Sequence, residues 1–331
     1  MASPASADPV SSRAPGMRSR ACPGPARVLR GCALLVVLLG CSSEAAAPRS
    51  LELERLAFVP SGSGSVYEGR VPTGHDSGSS PDGLLVDRLE VTRALWLETL
   101  GGAPTDALWE EGGAADFRPA VGMDRDEAMA LAAARGMRLP TSTEWLWLAA
   151  GSRGQAYPYG NQPMQSAANT LEVGLGRAVA VGTFASGRTP GTRIADLVGN
   201  VWEWCADSPP EVAVPGGVIG FPLVGGGEWL DGCAMGGSWL EPITPLHGEQ
   251  GLLARGLDRR HRAVDLGLRC VADAAAYLRG RAASWSTPAL RDRLVAVGAS
   301  WGRPALPLLT ELAAEPDAPA ALGWLREGAA R

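Results

Sequence analysis

An α+β fold with little regular secondary structure is predicted for residues 51–273, and three observations predict it. The chain carries 43 glycines and 26 prolines in 331 residues, a density of turn formers that cuts the backbone into short pieces. Its aromatic residues are 11 Trp against four Tyr and four Phe, and many of the Trp sit in short Gly-flanked segments rather than in a periodic stripe. Between Leu51 and Asp273, short strand-like runs alternate with Gly/Pro turns and a few helical patterns. A fold poor in ladders must hold its core with large rigid side chains, which assigns Trp145, Trp202, Trp204 and Trp239 to packing. Burying one Trp removes up to about 250 Å² from water, several kcal/mol at about 25 cal/mol per Å².

The first 41 residues read as an export signal rather than as fold. Arg13, Arg18, Arg20, Arg27 and Arg30 precede the apolar run from Cys32 to Gly40. That run is roughly half the ~20 residues a membrane-spanning helix needs. Leu38-Leu-Gly-Cys41 resembles a bacterial lipobox, which implies acylation of Cys41 as the mature N-terminus; a signal anchor is the alternative. A diacylated Cys supplies the multiple chains that stable anchoring requires. The implied location is the bacterial cell envelope, with a lipid anchor holding the chain to the membrane. Residues 42–50 form a short polar, Ala-rich tether.

Helices are predicted where local stop and start signals agree. Val91–Leu100 is closed by Gly101-Gly102. Asp124–Arg135 has an acidic first turn and Gly136 as its stop. Thr141-Ser-Thr-Glu144 matches a capping box, and Trp145–Ala150 continues as a buried helix closed by Gly151. After Asp273 the chain becomes Ala/Leu/Arg-rich. Residues 274–331 read as about three helices broken at Pro288, Pro304 and Pro316. Gly302–Leu312 looks like half of a HEAT-type hairpin, which cannot bury its own face and must pack on the main domain or on a partner.

Charge and cysteine content narrow the function. A net charge of −5 gives no reason to expect nucleic-acid binding, which leaves a basic patch. With Cys22 and Cys32 in the removed segment and Cys41 lipidated, Cys205, Cys233 and Cys270 remain. Three cysteines outside the cytoplasm allow one internal disulfide and leave one thiol, with the pairing open.

Several motifs then occur in order. Leu85–Ala94 contains Glu-Val-Thr; Gly136-Met-Arg-Leu-Pro-Thr-Ser-Thr-Glu-Trp145 is followed by Tyr157-Pro-Tyr-Gly-Asn161; Asp196-Leu-Val-Gly-Asn-Val-Trp-Glu-Trp204 precedes Gly236-Gly-Ser-Trp239 and Gly267-Leu-Arg-Cys-Val271. Together they resemble the formylglycine-generating enzyme (sulfatase-modifying factor) family, which is related to a non-haem-iron group. The resemblance covers residues 51–273 and implies a C-type-lectin-like α+β fold.

The resemblance also implies sites. The turn at Asp196, Gly199, Val201 and Glu203 would hold a structural calcium ion through two side chains and two carbonyls. Calcium favours six to eight oxygen ligands of this mixed kind. The competing reading pairs Glu203 with a buried Arg and leaves Asp196 to cap the turn. A second calcium site would use Asn169 and the Thr170 carbonyl, without a clear acidic partner. Catalytic relatives carry two cysteines after the Gly-Gly-Ser motif, binding copper(I), whose preference for soft thiolates makes Cys the sensible ligand. Here those positions are Glu241 and Leu246, and neither supplies a thiolate.

Ser238, Trp239, Arg255 and Arg269 match the family's substrate groove, in a segment that also carries Arg259, Arg260 and Arg262. Either an acidic peptide or glycan docks there, or these arginines are solvated or paired with Asp258 and Asp265. The leading reading is therefore a lipid-anchored, calcium-stabilised domain without formylglycine-generating activity. It would bind a peptide, protein or cell-envelope ligand in the old groove. The alternative is an oxidoreductase with a different, non-haem-iron type of site, for which His247, His261 and Glu241 are candidates; His75 sits apart in a Gly/Ser loop. A third reading has the C-terminal helices dock the domain into an envelope assembly.

Overall fold

The computed structural model describes residues 51–61, 83–105, 109, 117–207, 213–214, 217–218, 231–248 and 251–331. The expected export segment with Cys41, the tether and His75 lie outside them. In chain order the strands are β1 (Leu56–Val59), β2 (Leu84–Asp87), β3 (Trp202–Trp204), β4 (Ala213–Val214), β5 (Gly217–Val218), β6 (Gly232–Met235), β7 (His247–Gly248), β8 (Gly251–Leu252), β9 (Ala254–Leu257), β10 (Leu266–Gly267) and β11 (Val271–Asp273). The helices are α1 (Arg93–Leu100), α2 (Arg125–Ala134), α3 (Ser142–Ala150), α4 (Ala274–Trp285), α5 (Arg291–Trp301), α6 (Leu306–Ala313) and α7 (Ala320–Ala329). This is the expected α+β mixture of short strands and turns.

An antiparallel sheet in the order β1-β2-β11 divides two hydrophobic cores. Strand side chains alternate between faces. Leu56, Phe58, Leu85 and Ala272 therefore enter one core, while Ala57, Val59, Leu84, Val86 and Val271 enter the other. With both faces covered, β1 and β2 read as continuous apolar runs rather than as alternating ones. A second sheet, β10-β3-β6-β9, is antiparallel except for the parallel pairing of β10 with β3. Trp202, Trp204 and Ala234 join the first core, and Cys205, Cys233 and Met235 the second.

The helices start where their caps predict. Thr92 accepts from the Leu95 N–H at 3.1 Å and precedes α1, which Gly101 ends at φ 76°. Asp124 caps α2 and Thr141 caps α3, each closed into a box by the Glu three residues on. Such caps are worth about 1 kcal/mol each.

After β11 the chain turns directly into α4, and four helices follow rather than three. Pro288 and Pro304 lie in short 3-10 turns ahead of α5 and α6, and Pro319 caps α7. Gly298 and Gly328 let α5 and α7 touch through their backbones: a Cβ at either would overlap the carbonyl of Leu325 or Val295. The segment expected as half of a hairpin is α6, which packs on α7. These helices share the first core with the sheet, through Leu294, Val297, Trp301 and Leu309 against Leu53, Leu56 and Phe58. Trp301 Nε1 donates to the Leu56 carbonyl at 2.9 Å. At the rim, Arg293 pairs with Glu54 at 2.7 Å. No described helix is long and apolar enough to cross a membrane.

Candidate functional site

The turn from Asp196 to Glu203 carries most of the buried polar chemistry. Asp196, Gly199 and Asn200 have φ of 57°, 75° and 61°, a left-handed conformation that Gly, Asp and Asn tolerate best. Gly199 is required for a second reason, since a Cβ there would overlap the Asn169 carbonyl. Asn200 ties the turn to its surroundings. Its Oδ1 accepts from Asn169 Nδ2 at 3.1 Å and Val179 N–H at 3.0 Å, and its Nδ2 donates to Glu90 at 2.6 Å. Glu90 also accepts the Val201 N–H at 3.2 Å.

Glu203 is fully buried and held by a cation. Arg269 Nη2 reaches its Oε1 at 2.6 Å, Arg269 Nε lies 3.2 and 3.0 Å from its two oxygens, and Trp145 Nε1 donates to Oε2 at 2.6 Å. Arg269 also donates to the carbonyls of Asp87 and Ala195, each at 2.8 Å. This corrects the expectation that Arg269 lines the groove. Its side chain is 0% exposed, and the hydrogen bonds it makes all run to groups inside the fold. Glu203 likewise adopts the competing arrangement, a buried ion pair.

Charge in this interior is unbalanced. Glu90, Asp196 and Glu203 share the environment of Arg269. Burial pushes the Glu90 carboxyl well above its ordinary value, and the charges of Asp196 and Glu203 add to the shift. Burial likewise pushes Asp196 up to about 6, despite the Gly182 N–H it accepts at 2.5 Å. Sequence reasoning quoted Glu90 and Asn200 inside motifs but gave them no role. The available signal was a carboxylate flanked by Leu89 and Val91 just before an N-cap.

The expected ligand set therefore fits a calcium ion in part. With Glu203 engaged, the turn retains one Asp196 oxygen and the carbonyls of Gly199 and Val201, against the six to eight oxygens calcium prefers. At the second expected site, Asn169 Oδ1 is buried without a hydrogen-bond partner among the described residues. The Thr170 carbonyl accepts the Val173 N–H at 3.1 Å.

The loop after β6 holds the expected groove residues. Ser238 Oγ lies between two carboxylates, Asp265 at 2.8 Å and Glu241 Oε2, with one proton to give to either, and Glu241 Oε2 also accepts the Ser238 N–H at 3.0 Å. Arg255 pairs with Glu241 Oε1 at 2.7 Å and stacks over the Trp202 ring with 4.7 Å to its centroid. Ser238, Glu241, Arg255, Asp265 and Trp202 thus form one patch, with both Glu241 oxygens occupied. Trp239 packs against Val121 and Val201 and is only half-buried, whereas Trp145, Trp202 and Trp204 are buried as expected. The indole nitrogens of Trp202 and Trp239 are buried donors without a partner among the described residues. Leu246 is 0% exposed in the second core.

The other arginines turn away from this patch, and their partners are not those expected. Arg259 pairs with Asp126 at 2.8 Å, and Arg262 pairs with Asp124 at 2.5 Å and with Glu127, all at the start of α2. Arg260 meets Asp258 only through its backbone N–H, at 2.7 Å. The expected iron trio is not assembled by anything visible here. Glu241 is engaged by Ser238 and Arg255, His261 is half-buried with its N–H on the Asp258 carbonyl at 2.8 Å, and the His247 side chain lies outside the described residues.

The family described as sulfatase-modifying factor enzyme 1-like domain matches residues 49–274. The inactive C-alpha-formylglycine-generating enzyme 2 of Bos taurus is 36% identical over 129 residues, 36% of this chain and 40% of that protein. The formylglycine-generating enzyme of Thermomonospora curvata is 32% identical over 131 residues, 35% of this chain and 43% of that protein. The chain thus spans less than half the length of these curated relatives. Among solved structures, PvdO from Pseudomonas aeruginosa has a TM-score of 0.45 at 18% identity, covering 65% of this chain and 93% of that one. Treponema denticola variable protein 1 also has a TM-score of 0.45 at 18% identity, covering 66% and 93%.

Proposed function

This chain belongs to the family of sulfatase-modifying factor enzyme 1-like domains, and within it we propose a member that binds a ligand without generating formylglycine. One observation carries the reading. At the positions that the family resemblance assigns to the copper-binding cysteines stand Glu241, whose carboxylate is taken by Ser238 and Arg255, and Leu246, wholly buried in apolar surroundings. Copper(I) needs soft thiolate ligands, and a hard carboxylate with an aliphatic side chain offers none. The name of the Bos taurus relative, an inactive enzyme 2, agrees with this reading, while that of the Thermomonospora curvata relative does not. The proposal rests on the residues and not on the names.

The ligand we propose is a peptide, protein or cell-envelope component seated beside Ser238, Trp239 and Arg255. The support is chemical: the Arg255 guanidinium stacks on the Trp202 face, and the indole N–H groups of Trp202 and Trp239 have no acceptor among the described residues. We propose further that Cys41 is acylated and holds the domain to the bacterial envelope. A calcium ion at the Asp196 turn belongs to the same proposal, its charge offsetting the excess of buried carboxylate over Arg269 and the nearby Arg188. The purified chain, analysed for bound metals, is expected to contain copper and iron at background level only. Either metal at near one per chain would overturn the non-catalytic reading in favour of an oxidoreductase with a different site.

A further inference from the structure

Cys205 follows β3 directly, and Cys233 lies within β6. The register of these strands sets Glu203 opposite Met235 and Trp204 opposite Ala234. One step further, the Cys205 N–H donates to the Cys233 carbonyl at 2.8 Å. The two cysteines therefore face each other across antiparallel strands, with their side chains on the same side of the sheet. Opposed residues have Cα atoms about 4.5–5.5 Å apart, inside the range of about 4.4–6.8 Å that a disulfide spans. Both side chains are wholly buried in the second core as free thiols, Cys205 Sγ 3.8 Å from the Glu203 carbonyl and Cys233 Sγ 3.9 Å from the Ala234 carbonyl. Cys270 is placed elsewhere. It belongs to the first core, its N–H donates to Asp87 at 2.9 Å, and its thiol lies beside Arg135.

We propose that Cys205 and Cys233 are joined as a cross-strand disulfide while Cys270 remains a thiol. The oxidant is a disulfide donor, either a protein dithiol oxidase or a small-molecule disulfide. One cysteine thiolate attacks a donor sulfur and releases the donor's other sulfur as a thiol, leaving a mixed disulfide. The second cysteine gives up its proton and displaces the donor sulfur, closing the Cys205–Cys233 bond. The donor takes up the two electrons and leaves as a dithiol or as two thiols. Both sulfurs are buried in the folded chain, so the exchange takes place while the chain folds.

The bond has a consequence for the groove. It ties β3, which carries Trp202 and Glu203, to β6, which runs directly into Gly236-Gly-Ser238. The two strands beneath the Ser238–Glu241–Arg255 patch become one cross-linked unit. The pairing also fits the expectation that three cysteines outside the cytoplasm allow at most one bridge and leave a thiol.

The test is peptide mapping of the full chain, refolded from its reduced state in a glutathione redox buffer, then denatured and alkylated without reduction. A linked pair of peptides containing Cys205 and Cys233, with Cys270 alkylated, is the expected result, and C270S is expected to give the same link. Alkylation of both Cys205 and Cys233, or a link that includes Cys270, would overturn the proposal. Thermal unfolding gives an independent readout. Reductant is expected to lower the midpoint of the oxidised wild type and to leave that of C205S/C233S unmoved; a wild type indifferent to reductant would count against the bond. Refolding in vitro keeps this test separate from export, because a correct link forms whether or not Cys41 is acylated.

Discussion

Arg269 and Glu203 form an ion pair at the centre of the fold, 2.6 Å apart at their closest approach and with both side chains at most 1% exposed. The pair joins the strand-forming Trp202–Trp204 segment to the chain entering β11. The guanidinium also holds the Asp87 and Ala195 carbonyls.

Removing one partner leaves a buried charge unanswered. Glu203→Gln or Arg269→Met is expected to cost about 3–5 kcal/mol each, read as a lowered urea midpoint. A double replacement should cost less than the sum of the two, because the remaining charge is removed as well. Costs below about 1 kcal/mol for both single variants would show that the pair does not hold the core.

Calcium is expected to raise the unfolding midpoint and EDTA to lower it. An ion at about a hundredfold its dissociation constant adds about 2.7 kcal/mol to a native state that alone binds it. Asp196→Asn should remove this response while leaving the fold intact. Identical melting curves in calcium and in EDTA would leave the charge of Glu90 and Asp196 to be met by protons.

The C-terminal helices are expected to be inseparable from the domain. Trp301→Ala should cost about 3–5 kcal/mol, as large aromatic truncations in cores do, and removing 274–331 should leave an insoluble domain because Leu56, Phe58 and Leu85 lose their cover. A truncated domain that stays soluble and folded would contradict this. Retained ligand binding by such a domain would, in addition, remove any role of these helices in docking to an envelope assembly.

Acid should loosen the rim contact between these helices and the start of the domain. The Arg293 hydrogen bond holds the Glu54 carboxyl below its ordinary value of 4.5, against a smaller opposing effect of burial. A depressed folded value means the contribution is complete above 4.5 and disappears as pH falls through the lower folded value. Arg293→Met should flatten the acid limb of the stability profile. The pair is substantially exposed, so the change in slope is small.

What the sequence shows of this architecture is what local chemistry encodes. Thr92, Asp124 and Thr141 announce their helices because each cap acts within three residues, and glycines mark the ends. Trp145 and Trp204 are legible as core because their bulk has no other use in so irregular a fold. Arg269 is not legible in the same way. Nothing in Leu268-Arg-Cys270 says which way the guanidinium points, and only the fold brings Glu203 to it. The facing of Cys205 and Cys233 depends on strand register across an intervening segment, which spacing alone does not reveal. Glu241 and Leu246 lie between these extremes. Their identity is plain in the sequence, whereas the clasp of Glu241 by Ser238 and Arg255 required the fold.

Formylglycine formation tests the central claim most directly. The purified full chain, supplied with copper(I), oxygen and a cysteine-containing peptide, is expected to leave the peptide's mass unchanged while the Thermomonospora curvata enzyme converts it in parallel. Conversion by this chain above the protein-free background would mean that a carboxylate and a leucine do not silence the site, and the account would be wrong.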